Sequence, residues 1–298
     1  MKFGKVAAPE TIDFTISTRP AEVPTENQTT GLAPIYIGAT GWSMKQWVGK
    51  WYPPGTKATD FLEEYGRLFN TIELNTTHYR IPTFEQVEKW CDQVPEDFRF
   101  CPKIPQRISH AKDLGLGSGL IGQTSEAFDR FGHKLGCCFV QLPPYFGYDR
   151  LNLLELFLEA WPKSLPIAVE FRHESWFTSP ERIDQWIEVL KAHGATAVIT
   201  DVAGRRDVMH MQLSSARTMV RWVGNGLIES DYERLADWVE IFRQWKLMET
   251  YIFPHQPDNL LAPEAAYWLA ERLQATDWAN TRGPKPYEEP PPDQLALF

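Results

Sequence analysis

The feature that most constrains the fold is an alternation repeated along the middle of the chain. A short run of β-branched and aromatic residues is followed by an amphipathic helical stretch, and the pair recurs. The runs lie at 35–39 (IYIGA), 71–75 (TIELN), 98–103 (FRFCPK), 137–142 (CCFVQL), 167–172 (IAVEFR), 195–201 (ATAVITD), 219–223 (MVRWV) and 250–254 (TYIFP). Helical patterns fill 60–69, 84–90, 126–135, 153–161, 181–193, 232–245 and 263–274. In one of them Ile183, Trp186, Ile187 and Leu190 recur at the spacing of a single helix face, and His193-Gly194 supplies a left-handed stop. Several runs are apolar at nearly every position, which suits parallel strands covered on both sides. Eight such units predict an α/β fold of TIM type, a (β/α)8 barrel. A doubly wound open sheet is the structural alternative, but the chain has no G-x-G-x-x-G after a strand and no P-loop.

The ends differ from this body. Residues 1–34 form an arm rich in Thr, Pro and Glu, with a short strand expected at 11–16. The barrel is expected over 35–278. Residues 279–298 read as an extended, poorly packed, Pro-rich tail ending in QLALF. With 30 Lys+Arg against 39 Asp+Glu, the net charge of −9 excludes a protein that coats nucleic acid by bulk charge. There is no apolar stretch long enough to span a membrane and no apolar core near the N-terminus, so a cytoplasmic location is expected. The 4 cysteines, Cys91, Cys101, Cys137 and Cys138, have no C-x-x-C spacing, which argues against a structural zinc site; Cys137 and Cys138, inside the apolar run GCCFV, are read as buried thiols, and a catalytic thiol at Cys101 has little support.

In a barrel the chemistry stands at the C-terminal ends of the strands. Here those ends carry Trp42, then Glu73 and Asn75, Lys103, Gln141, Glu170 with Arg172 and His173, Asp201 with Arg205, Arg221, and His255. A strand needs none of these groups to fold, and each one half-buried costs desolvation free energy. Lys103, Arg172, Arg205 and Arg221 invert the sign of the acidic chain, which points to a small anionic ligand. Glu73 and Glu170 are the acid–base candidates, together with Lys103 and Asp201. Asn75, Tyr79, Gln141, His173, Trp42, Trp176 and His255 would orient or stack on the ligand. No cofactor is predicted. A divalent metal on Glu73, Glu170, Asp201 and His255 is the weaker option and would imply a phosphoesterase or isomerase.

Three segments then carry a resemblance: 37–82, beginning IGATGWSMKQW; 98–110 (FRFCPKIPQRISH); and FVQLPP at 139–144 with IAVEFRHESWF at 167–177. Together they resemble the bacterial and archaeal family called domain of unknown function 72, or YecE-like, over about 35–275. The resemblance implies a TIM-type barrel and no established activity. It implies that Gly41, Trp42, Trp47, Tyr52, Pro53, Glu73, Asn75, Tyr79, Lys103, His110, Gln141, Glu170, Arg172, His173, Trp176 and Asp201 are motif positions. The chain departs from the pattern at 221–224 (RWVG for an R-L-H-G-like segment) and at 253–256 (FPHQ where paired Asn is common). The terminal QLALF resembles the pentapeptide by which bacterial proteins dock on the DNA sliding clamp, through Gln294, Leu295, Leu297 and Phe298. Three functions are therefore carried forward. The first is an enzyme acting on a phosphorylated or nucleotide-like anion. The second is a non-catalytic or DNA-maintenance accessory factor recruited by the tail. The third is the metal-dependent enzyme.

Overall fold

The structure, a computed structural model, describes residues 6–16, 23 and 28–289. The eight apolar runs are eight parallel strands: β1 (Ala33–Ala39), β2 (Thr71–Leu74), β3 (Arg99–Pro102), β4 (Cys138–Gln141), β5 (Ile167–Glu170), β6 (Thr196–Asp201), β7 (Arg217–Val223) and β8 (Glu249–His255). Their order is β3-β2-β1-β8-β7-β6-β5-β4. The β3–β4 seam is joined by the Phe100–Leu135 and Lys103–Phe139 bridges and by the Ile104 amide donating to the Phe139 carbonyl at 2.8 Å. The result is a nearly closed TIM-like barrel with helices outside it.

Seven longer helices follow the amphipathic patterns: α1 (Phe61–Leu68), α3 (Phe84–Asp92), α5 (Leu120–Asp129), α6 (Leu151–Ala160), α7 (Pro180–Ala192), α8 (Glu229–Trp245) and α9 (Ala262–Gln274). Two short ones, α2 (Thr76–Tyr79) and α4 (Gln106–Ser109), sit directly after β2 and β3. The helix expected at 126–135 begins earlier and stops at Asp129, because Gly132 turns left-handed at φ 55° and a tight turn follows. Ser179 caps α7 through its side chain, with Pro180 at the first helical position.

Alternation along the strands sorts the side chains. Outward residues such as Ile72, Val140, Val169 and Ile199 pack under the helices, in one core with Trp186, Trp238 and Trp245. Inward residues stack in layers. At the bottom, Arg217 pairs with Glu249, and Tyr36 stacks on Tyr251 with ring centroids 4.9 Å apart. Cys101, Phe139, Val198, Met219 and Phe253 fill the middle. The top layer is polar and holds the site.

Two terminal expectations are corrected. Residues 279–282 are not loose tail: Ala279–Arg282 is a ninth strand, β9, parallel to the first half of β1. β2 bonds β1 only at Gly38 and Ala39, which leaves the lower half of that edge open, and β9 satisfies it. Arg282 pairs with Asp97 at 3.0 Å and reaches the Gly66 carbonyl at 2.6 Å, locking the strand to the barrel. In the arm, residues 11–16 form no strand; the tight turn Pro9–Thr11 is followed by chain that joins no sheet. The pentapeptide residues Gln294, Leu295, Leu297 and Phe298 lie outside the described residues.

Candidate active site

The top layer is organised by one guanidinium. Arg221, the fifth residue of β7, lies between two carboxylates that are themselves fully buried. Its Nε and Nη2 donate to Glu73 at 2.8 and 3.0 Å, and its Nη1 donates to both oxygens of Glu170 at 2.8 and 3.0 Å. Asn75 donates to Glu73 Oε1 at 2.9 Å, and His255 meets Glu73 Oε2 through Nε2 at 2.9 Å. Gln141 donates to Glu170 at 2.8 Å and accepts from Lys103 at 3.0 Å and from Arg172 at 3.4 Å. Eight of the residues named from strand ends thus form a single network from β2, β3, β4, β5, β7 and β8.

The electrostatics follow from this packing. Burial pushes the Glu73 carboxyl up, but Arg221 and His255 outweigh it and hold the group well below the carboxylate range. At Glu170, burial is likewise outweighed, by Arg221, Arg172 and Lys103. Both glutamates are therefore fixed anions. Lys103 goes the other way. Burial first, and then the Arg221 charge, bring its amine down to about 8, although Glu73 and Glu170 oppose the shift. Burial lowers His78 to about 4, and burial with the Lys103 charge lowers His110.

A cavity of about 630 Å3 opens above this layer, lined in part by Gln141, Arg172, Arg221 and His255. Its far wall includes Val223, Gly224 and Asn225 of the β7–α8 loop. That loop is fixed by the buried Asp231 carboxylate, which accepts from the Asn225 and Leu227 amides at 2.7 and 3.0 Å.

Other named residues stand elsewhere. Asp201 ends β6 on the outward register: its carboxylate accepts from the Trp238 indole at 2.9 Å and pairs with Arg234 and Arg206. It faces the helix layer, not the mouth, because inward positions on β6 are Val198 and Thr200. Trp176 is wholly buried, and its indole donates to the Phe146 carbonyl at 2.8 Å, so it is a packing residue rather than a stacking surface. Trp42 packs edge-on against Trp90 at 5.9 Å. His173 accepts from the Ser175 amide and caps a short turn. Arg205 pairs with Asp207 and donates to the Arg172 carbonyl at 2.8 Å, bracing the rim. Tyr79 is 79% exposed and begins a row of rings, Tyr79–His78–His110–Tyr145, along the opposite rim.

The four-residue metal set does not assemble. Among the described residues no three His, Cys, Asp or Glu groups are placed to hold an ion. Asp201 is on the wrong side of its strand, and the Arg221 guanidinium occupies the space between Glu73 and Glu170. Cys101 and Cys137 inside the barrel and Cys138 under the helices are free and buried, and burial raises their thiols. Sequence reasoning missed one part of the site: Val6, Ala7 and Pro9 also line the cavity. Nothing in their periodicity or charge marks them.

The family model described as "Protein of unknown function DUF72" matches residues 36–290. The chain belongs to the DUF72 family. It is 32% identical over 261 residues to the UPF0759 protein YecE of Escherichia coli K12, covering 81% of this chain and 93% of that protein. It is 33% identical over 174 residues to the UPF0759 protein YunF of Bacillus subtilis, covering 54% and 58% of the two chains. Solved DUF72 structures share the fold. One from Enterococcus faecalis has a TM-score of 0.67 at 21% identity, over 85% of this chain and 100% of that one. One from Thermotoga maritima has a TM-score of 0.65 at 24% identity, over 80% and 99%. As in the fold itself, no described helix is long and apolar enough to cross a membrane.

Proposed function

We propose that this DUF72 protein is an enzyme that binds a small anion in the barrel mouth and moves a proton with His255. The observation that carries the reading is the cavity of about 630 Å3 set over a layer in which Lys103, Arg172 and Arg221 face Glu73 and Glu170. That layer sums to 3 − 2 = +1, in a chain of net −9. A charge excess at a partly buried site favours an anion of matching size; Arg172 lines the cavity as the guanidinium nearest a ligand, while Arg221, whose Nε, Nη1 and Nη2 already serve the glutamates, contributes chiefly its charge.

The glutamates, held ionised by Arg221, have no proton to donate near neutral pH. Their work is to fix the arginine and the histidine. An ionised Glu73 can only accept, so His255 Nε2 is the donor in this bond, and Nδ1 is the ring nitrogen turned to proton exchange with a ligand. This is the carboxylate–imidazole arrangement that orients a general base. Lys103 adds positive potential beneath the ligand, where charge on an enolate or a leaving oxygen would be stabilised. The reaction class best matched is proton transfer next to an anionic group, as in an isomerase or lyase.

Thermal melts at constant ionic strength test the binding half of this reading. With inorganic phosphate, glucose 6-phosphate, succinate and neutral glucose as probes, at least one anion raises the melting temperature by several degrees and glucose does not. If no anion exceeds the sodium chloride control, the reading is wrong.

A further inference from the structure

The family match begins at residue 36, but the wall of the cavity begins at residue 6. The segment that supplies this wall is docked at a built position. The Phe14 ring lies 4.6 Å from the Arg234 guanidinium carbon and 5.4 Å from that of Arg206, and Arg206 Nη2 donates to the Phe14 carbonyl at 3.0 Å. Both arginines are held by Asp201, and the Trp222 ring backs Arg234 at 4.7 Å. Arg234 is only 3% exposed, so its orientation is fixed by the barrel. Between the dock and the wall, Thr11 closes a turn on the Ala8 carbonyl through its amide and its hydroxyl, at 3.1 and 2.8 Å. The outward-facing Asp201 thereby gains a role: it holds the two arginines against which the arm is seated. Ordering an N-terminal segment costs chain entropy, and these contacts offset it.

The chemistry of the wall differs from that of the floor. Strand ends contribute Gln141, Arg172, Arg221 and His255, whereas the arm contributes Val6, Ala7 and Pro9, with Val223 and Pro257 beside them. The cavity is also far larger than an inorganic phosphate needs and falls in the range of whole small-molecule sites.

We propose that the arm, residues 6–16, is the specificity-determining wall of the site. The ligand is then an anion carrying an apolar group, such as an aryl or acyl phosphate or carboxylate. Its charged end meets Arg172 and Arg221, and its apolar part lies against Val6, Ala7 and Pro9. The inference rests on the anion reading above.

Calorimetric titration with inorganic phosphate and with phenyl phosphate separates the two. The full chain prefers phenyl phosphate by about tenfold, the order expected from burying one ring face. A chain lacking residues 1–16 binds the two ligands within about twofold of each other, and its affinity for inorganic phosphate stays within about threefold of the full chain's. The full-length Val6→Ser/Pro9→Ser double variant, whose dock at Phe14 is intact, shows the same loss of preference. If both anions bind and the phenyl preference survives in the double variant, the arm inference fails while the anion reading stands. If neither anion binds the full chain, both fail.

Discussion

Replacing Arg221 by Met is the sharpest perturbation of this barrel. It removes four hydrogen bonds, of 2.8, 3.0, 2.8 and 3.0 Å, from two carboxylates that have no solvent exposure. Removing one partner of a buried ion pair costs about 3–5 kcal/mol, because the remaining charge is left uncompensated. Asn75, His255 and Gln141 keep their bonds to the glutamates, so the low end, about 3 kcal/mol at pH 7, is expected. For a chain of this size that corresponds to a fall in melting temperature of roughly 5 °C.

The pH dependence gives the sign. In the wild type both glutamates have lowered folded pKa values, so their stabilisation is present above the unfolded carboxylate pKa and is lost as pH falls through the folded value. Without Arg221 the opposing burial dominates and the folded pKa values rise. The variant then gains stability on acidification through the range where the wild type does not, and its deficit at pH 5 is smaller than at pH 7. Adding Glu73→Gln and Glu170→Gln to Arg221→Met removes the stranded charge and recovers about 2 kcal/mol or more. Urea titrations at both pH values measure all of this. An Arg221→Met deficit below about 1 kcal/mol at pH 7, or one that grows at pH 5, would refute the reasoning.

Further outcomes are expected. With its pKa near 8, the Lys103 amine is roughly a quarter unprotonated at pH 7.5, so its acylation rate follows a midpoint near 8, and Arg221→Met shifts that midpoint upward; a midpoint near 10.5 contradicts the site electrostatics. Gly38→Ala places a Cβ 2.3 Å from the Thr71 carbonyl oxygen on the paired strand, so the variant loses several kcal/mol or does not fold; a wild-type melt contradicts the β1–β2 register. Truncation after residue 278 removes β9 and bares the lower edge of β1, lowering the melting temperature by at least several degrees; an unchanged melt shows that the strand adds nothing. Fluorescence polarisation of a peptide of residues 294–298 against a bacterial sliding clamp tests the QLALF resemblance; saturable binding supports docking and no binding at high micromolar concentration removes that partner.

The barrel was legible because its strands are buried on both sides and so read as unbroken apolar runs, with helix faces such as Ile183–Trp186–Ile187–Leu190 between them. The polar ends of those strands were legible for the same reason: Glu73, Lys103, Glu170 and Arg221 interrupt apolar runs at a desolvation cost that only a network or a ligand offsets. Which way a terminal residue points was harder. Counting by twos along β6 places Asp201 with Ala197 and Ile199, on the helix side, and the same count places Trp222 there too; proximity to a strand end alone did not distinguish them. The tryptophans misled because a large ring near a strand end can equally fill the space beneath a loop, as Trp176 does. Residues 279–282 read as tail because their pattern, Ala-Asn-Thr-Arg, carries no apolar run. What makes them a strand is the open edge of β1, a partner more than two hundred residues away. The arm was invisible for a similar reason: Phe14 is positioned by Arg206 and Arg234, and no local pattern reports a contact of that range.

The central claim is that the layer under the mouth holds a net positive charge for an anionic ligand. Equilibrium dialysis of the full chain against radiolabelled inorganic phosphate, beside the Arg172→Gln variant, tests it most directly. One phosphate is expected to bind per chain, weakened by about tenfold or more in the variant, whose melting temperature stays near that of the parent. No saturable phosphate binding, or binding indifferent to Arg172→Gln, would contradict it.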